Sequence, residues 1–98
     1  MTVTDMETGK VWRDIWDMIE ADPIEAINLR MRSSLMFALE ARVKEWGVTQ
    51  KVAAKRLGIT QPRLNLLLKG RFNDFSLDAL IALLEPAGLE LEFNVKAA

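Results

Sequence analysis

Residues 49–70 read TQKVAAKRLGITQPRLNLLLKG, and this stretch decides the fold. Thr49 is suited to cap a helix, because its hydroxyl can accept a hydrogen bond from a free amide of the first helical turn. Gly58 follows where a left-handed backbone costs least, and Thr60 is suited to cap a second helix. The pattern therefore predicts two short amphipathic helices joined by a tight turn.

The second of these helices has an apolar side and a polar side. Leucines recur at helical spacing and are expected to face inward. The side chains left for the outer surface are Gln61, Arg63, Asn65 and Lys69. In the major groove of DNA, arginine pairs well with guanine and asparagine with adenine. Arg63 and Asn65 are therefore predicted to read bases from a helix that lies in the groove.

Helices are also predicted on both sides of this stretch. Asp22, followed by proline, is suited to start a helix that runs to about Trp46, where Gly47 ends it. Ser76 is suited to cap a last helix. The predicted core positions are Leu29, Met36, Leu39, Val43 and Trp46, then Val52, Ala53, Leu57, Leu64, Leu67 and Leu68, and finally Leu77, Leu80, Ile81, Leu83 and Leu84.

Length and composition set the class of protein. With 98 residues, half of them hydrophobic, the chain is expected to form one small domain. It has no cysteine, no run of 18 apolar residues and no signal-peptide pattern, which predicts a soluble, cytoplasmic protein without disulfides. Histidine is also absent, and no glycine-rich phosphate loop occurs. We therefore expect no enzyme activity, no catalytic residues, no metal site and no cofactor.

The net charge of −1 hides an uneven distribution. Residues 42–71 contain eight basic residues and one acidic residue, a net charge of +7. The other 68 residues contain five basic and thirteen acidic residues, a net charge of −8. The positive charge is thus concentrated around the two short helices, where DNA phosphates would lie. The alternative is that these residues form the solvated faces of ordinary helices.

The segment 10–25 is acidic and contains two tryptophans. At helical spacing it places four large apolar side chains on one face: Trp12, Ile15, Trp16 and Ile19. One interpretation is that this face packs on the core of the same chain. The other is that it binds a partner protein, because aromatic anchors concentrate binding energy and the acidic surroundings suit a basic partner.

Residues 89–95 alternate between apolar and polar side chains. The apolar positions are Leu89, Leu91, Phe93 and Val95, a pattern typical of a half-buried strand. Because no other segment offers a partner strand, the simplest completion is the same strand from a second copy. A homodimer of this kind would also present two recognition helices to a palindromic site. The alternative is that the segment docks on its own core without a strand partner.

The motif T-Q-x-x-A-A-x-x-L-G-I-T-Q-P-R, followed by L-L-x-G and F-S-L-D, resembles the lambda-repressor-like (Cro/XRE-type) helix-turn-helix proteins over about residues 27–96. More narrowly, it is similar to the HigA-like antitoxins. The resemblance implies a mainly α fold with a five-helix DNA-binding domain and a C-terminal β-strand that pairs across a dimer. The domain is expected at residues 27–98, after an N-terminal helical extension at residues 1–26.

The resemblance also implies roles for individual residues. Gln61 would touch a base edge and support Gln50, and Pro62 would contact a thymine methyl group in place of a direct hydrogen bond. The residues expected to contact phosphates are Gln50, Lys51, Lys69 and Arg71.

The function implied is that of a transcriptional repressor that binds double-stranded DNA at its own promoter. As an antitoxin, the protein would also neutralise a small basic ribonuclease toxin. Two other functions stay open, namely a stand-alone regulator without a toxin and a protein-interaction module on the same scaffold.

Overall fold

The computed structural model describes residues 22–97, which contain four α-helices and one short 3-10 helix. The α-helices are α1 (Pro23–Trp46), α2 (Gln50–Leu57), α3 (Gln61–Leu68) and α4 (Leu77–Ala87), and the 3-10 helix Phe72–Asp74 lies between α3 and α4. The chain divides into two compact units, Met1–Met31 and Arg32–Ala98. The prediction for Trp12, Ile15, Trp16 and Ile19 falls outside the described residues.

Each α-helix begins after a side chain that accepts a hydrogen bond from its first turn. The bonds run from Ile24 N–H to Asp22 Oδ1 (3.0 Å), from Val52 N–H to Thr49 Oγ1 (3.3 Å), from Arg63 N–H to Thr60 Oγ1 (3.2 Å) and from Ala79 N–H to Ser76 Oγ (3.1 Å). These side chains satisfy amides that a helix cannot satisfy itself. All four predicted helix starts are confirmed.

In the first unit, the described residues are the start of α1. Ala26 and Leu29 are buried there, whereas Ile24, Ile27 and Met31 are exposed. The burial of Leu29 agrees with its predicted place in the core.

The core of the second unit receives side chains from all four α-helices and from the segment before α4. Its buried members are Leu35, Met36, Leu39, Val43, Ala53, Ala54, Leu57, Leu64, Leu67, Phe75, Leu80, Leu83, Leu84 and Ala87. Three further predicted core positions are partly buried against this core: Trp46, Leu68 and Leu77. The predictions for Val52 and Ile81 are wrong, because both side chains are exposed. On helices of 8 and 11 residues only one stripe faces the core, and these two positions lie beside it.

The turn between α2 and α3 has the backbone that the sequence predicts. Gly58 has φ +74°, a left-handed conformation that residues with a Cβ rarely adopt. The N–H of Gly58 bonds to the carbonyl of Lys55, and the N–H of Ile59 bonds to that of Ala54 at 3.0 Å. This pairing closes the end of α2 and lets α3 begin three residues later.

The predicted fold is confirmed as mainly helical, and its finer details differ. Residues 22–97 contain four α-helices and a 3-10 helix instead of the full five-helix set. No strand forms at residues 89–97 in the described part of the single chain. A strand requires the backbone of a partner for its ladder, and a single copy offers none.

Within residues 22–97, no helix is long and apolar enough to cross a membrane.

Candidate nucleic-acid interface

The orientation of α3 is set by two leucines on its inner side. Leu64 and Leu67 are fully buried, so the opposite side of the eight-residue helix is turned outward. Pro62 lies in the first turn, where a missing N–H removes no helical hydrogen bond. Because α3 is packed on one side and capped at its start, its orientation is fixed and its outer side chains point to solvent.

The outer side of α3 carries polar side chains one helical turn apart. Gln61, Asn65 and Lys69 follow one another at intervals of four residues and therefore share a face. Gln61 and Lys69 are exposed and Asn65 is half-buried. The side-chain amides of Gln61 and Asn65 make no hydrogen bond to another residue in 22–97. Both amides can therefore offer a donor and an acceptor to an external ligand.

Arg63 lies at the flank of this face and is directed towards its own chain. Its Nη1 donates a hydrogen bond to the backbone carbonyl of Asp74 at 3.2 Å. Its guanidinium carbon lies 4.2 Å from the centroid of the Phe75 ring. Of the four predicted base-reading residues, the structure thus places Gln61, Pro62 and Asn65 at the surface of α3, and it places the guanidinium of Arg63 against the segment that follows the helix.

The eight basic residues in 42–71 divide into two groups. Five are engaged with neighbouring groups: Arg42 with Glu45 at 3.6 Å, Lys44 with Glu40 at 3.1 Å, Arg56 with the Trp46 ring at 5.1 Å, Arg63 as described, and Arg71 with Asp74 at 3.4 Å. The other three are Lys51, Lys55 and Lys69, which have no ion pair with another described residue. These three exposed lysines are the cations most readily available to an anionic ligand.

Gln50 and Lys51 occupy the first turn of α2. Both are exposed, directly after the Thr49 cap. The start of a helix has amides that point outward and a partial positive charge. The predicted phosphate contacts Gln50 and Lys51 are therefore accessible at the positive end of a helix dipole.

Two residues with structural importance near the site were missed by sequence reasoning. Phe75 is 2% exposed, although its neighbours are typical of a polar linker. Arg32 is buried on α1, and its Nη1 donates to the carbonyl of Phe72 at 2.9 Å. The two phenylalanines in the sequence RFNDF, residues 71–75, are the feature that could have predicted the burial of Phe75. Nothing in the spacing of α1 distinguishes Arg32 from a solvated arginine.

The predicted dimerisation residues lie in the tail after α4. Leu89 is half-buried against the core, and its N–H bonds to the carbonyl of Leu84 at 2.9 Å. Leu91, Phe93 and Val95 are 44%, 79% and 84% exposed. The tail thus presents three apolar side chains to solvent within the described part of the chain.

The comparison with protein families identifies the class of fold. The family model described as "Helix-turn-helix domain" matches residues 19–96. The chain belongs to this helix-turn-helix family. No curated protein gives a significant match. The family and the geometry of α2 and α3 together indicate a DNA-binding regulator.

Proposed function

We propose that the protein is a sequence-specific transcriptional repressor that inserts α3 into the major groove of operator DNA. The observation that carries the proposal is the outer face of α3, where the amides of Gln61 and Asn65 have no partner among the described residues. Asparagine and glutamine can make two hydrogen bonds to the edge of adenine. The protein acts by occupying DNA and not by catalysis.

Pro62, the apolar residue next to Gln61, can also contact bases in the major groove. Pro62 is exposed beside Gln61 in the first turn of α3. A proline ring has no donor, but it can contact the methyl group of thymine. Gln61, Pro62 and Asn65 together would favour a half-site rich in A·T pairs.

Phosphates on both sides of the groove would be held by side chains at the ends of the two motif helices. Gln50 and Lys51 lie at the start of α2, Lys69 lies at the end of α3, and Arg71 follows it. Such contacts set the position of the protein on the duplex and give little sequence information. Three of the eight basic residues in 42–71 would serve in this way.

We also propose that the active species is a homodimer joined through the tail. Support comes from the alternation of residues 89–95 and from the exposure of Leu91, Phe93 and Val95. Pairing with the tail of a second copy would satisfy the free backbone groups and cover these side chains. Two copies of α3 about one DNA turn apart would then match a palindromic operator.

The narrower proposal is that the repressor is the antitoxin of a toxin-antitoxin pair. Support comes from the motif resemblance and from the acidic, tryptophan-containing segment 10–25, whose composition suits a small basic toxin. Co-expression with the adjacent reading frame tests this: Trp12→Ala/Trp16→Ala should lose the partner and Phe37→Ala should keep it. Equal capture by both variants would place the partner on another surface, and no partner at all would leave a stand-alone regulator.

Asn65→Ala is predicted to reduce discrimination between DNA sequences. Each base contact is worth about 1–3 kcal/mol, so the ratio of affinities for a selected duplex and a scrambled duplex should fall by about 5-fold to 150-fold. The selected duplex is obtained by enriching random sequences on the wild-type protein, and affinities are measured by fluorescence anisotropy. An unchanged ratio would remove Asn65 from the base-reading set.

Lys69→Ala tests a predicted phosphate contact with the same two duplexes. Binding to both duplexes should weaken by the same factor, and the slope of log affinity against log salt should decrease by about 0.9 for each phosphate that the variant no longer neutralises. Lys44→Ala is the matched control, because Lys44 is an exposed lysine on α1 that is already paired with Glu40. The assignment is wrong if both lysine variants have the same salt dependence.

Phe93→Asp is predicted to convert the dimer to a monomer, because the charge would be buried between two tails. Phe37→Asp is the matched control, since Phe37 on α1 is 75% exposed and Phe93 is 79% exposed. Removal of residues 91–98 should have the same effect as Phe93→Asp while leaving the packing of Leu89 intact. Light scattering coupled to size exclusion gives the mass, and a truncated chain that remains dimeric excludes pairing through the tail.

A further inference from the structure

The segment between α3 and α4 is held by two arginines from different helices. We name residues 71–75 the connecting loop. Arg32 of α1 donates to the carbonyl of Phe72 at 2.9 Å, and Arg63 of α3 donates to the carbonyl of Asp74 at 3.2 Å. The carbonyl of Phe72 is partly shielded from water and needs such a partner, whereas the bond to the carbonyl of Asp74 is exposed. Besides the burial of Phe75 in the core, the loop is thus held by two side-chain hydrogen bonds from helices of its unit.

The interaction of Arg63 with the loop is more than a single hydrogen bond. Its guanidinium also stacks on the ring of Phe75 at 4.2 Å, and that ring is 2% exposed. A cation over an aromatic face is attracted by the electrons of the ring, and the planar guanidinium matches it in shape. A swing of this group towards a base edge would break both interactions.

Asp74 connects Arg63 to the candidate phosphate contact. The carboxylate of Asp74 forms an ion pair with Arg71, with 3.4 Å between Oδ2 and Nε, while its backbone carbonyl accepts a hydrogen bond from Arg63. The N–H of Asp74 also bonds to the carbonyl of Arg71 at 2.9 Å. Asp74 therefore contacts both arginines, and its position affects where the guanidinium of the exposed Arg71 lies.

We infer that Arg63 is a positioning residue that holds the connecting loop and, through Asp74, orients Arg71 towards a DNA phosphate. Base reading is left to Gln61, Pro62 and Asn65 on the open face of α3. The inference rests on the proposed function for the role of Arg71, whereas the attachment of the loop is a property of the protein alone.

The first experiment uses the full chain without DNA. Hydrogen exchange is measured at the amides of Asp74 and Phe75, in wild type and in Arg63→Ala. Exchange at both amides should become at least tenfold faster, because the loop loses one of its two side-chain hydrogen bonds from the helices and the cation over the Phe75 ring. Arg56→Ala is the matched control: it removes an arginine that stacks on another aromatic ring, Trp46, at 5.1 Å, and it should leave the loop amides unchanged.

The second experiment uses the selected and scrambled duplexes. Arg63→Ala should weaken binding to both by the same factor, so that their affinity ratio stays within twofold of wild type. Arg71→Ala should also weaken binding to both. Made in the Arg63→Ala background, Arg71→Ala should have less than half of its original effect on log affinity, because Arg71 is already misplaced. A role in stability alone would not produce this coupling when all variants are fully folded.

Three results would overturn the inference. They are loop amides that exchange at the wild-type rate in Arg63→Ala, an affinity ratio that falls about fivefold or more in that variant, and an Arg71→Ala effect that is absent or independent of Arg63. The second result would make Arg63 a base reader. A failure of the proposed function looks different, since the wild-type protein itself would then show no preference between the duplexes while the exchange experiment would still report on the loop.

Discussion

The packing of α2 against α3 is the constraint on which the site depends. Each helix has eight residues, a length at which an isolated helix is unstable in water. Their persistence in the fold therefore comes from burial: Ala53 and Leu57 on one helix and Leu64 and Leu67 on the other have exposures of 4% or less. The left-handed Gly58 keeps the link short, so the outer face of α3 has little freedom to turn.

The positive charge that the site can offer to DNA depends more on which basic side chains lack a partner in the same chain than on the number of basic residues. In residues 42–71, whose net charge is +7, five of the eight basic residues are engaged with carboxylates, carbonyls or aromatic rings of the same chain. A cation that is already paired gains less from a phosphate, because it must first give up its partner or share it. Lys51, Lys55 and Lys69 have no such cost within the described residues, so the effective positive surface is smaller than the composition indicates.

Much of the fold could be predicted from the sequence because its signals are local. Caps such as Thr49 and Thr60, and the turn at Gly58, act over three or four residues and are visible in a single line of sequence. The burial of Phe75 and the bonds of Arg32 and Arg63 depend on residues that are distant in the chain. Arg32 and Phe72, for example, are 40 positions apart. The alternation at residues 89–95 predicts a strand, but none forms in the described single chain, because a strand needs the backbone of a partner.

The role of α3 in DNA binding is tested most directly by NMR, by following the side-chain amide signals of asparagine and glutamine as the selected duplex is added. If α3 lies in the groove, the NH₂ signals of Gln61 and Asn65 shift and become protected from exchange with water. Those of Asn28 on α1 and Asn94 in the tail should stay in place. Binding that moves Asn28 or Asn94 and leaves Gln61 and Asn65 unchanged would show that DNA contacts another surface, and it would contradict the role assigned to α3.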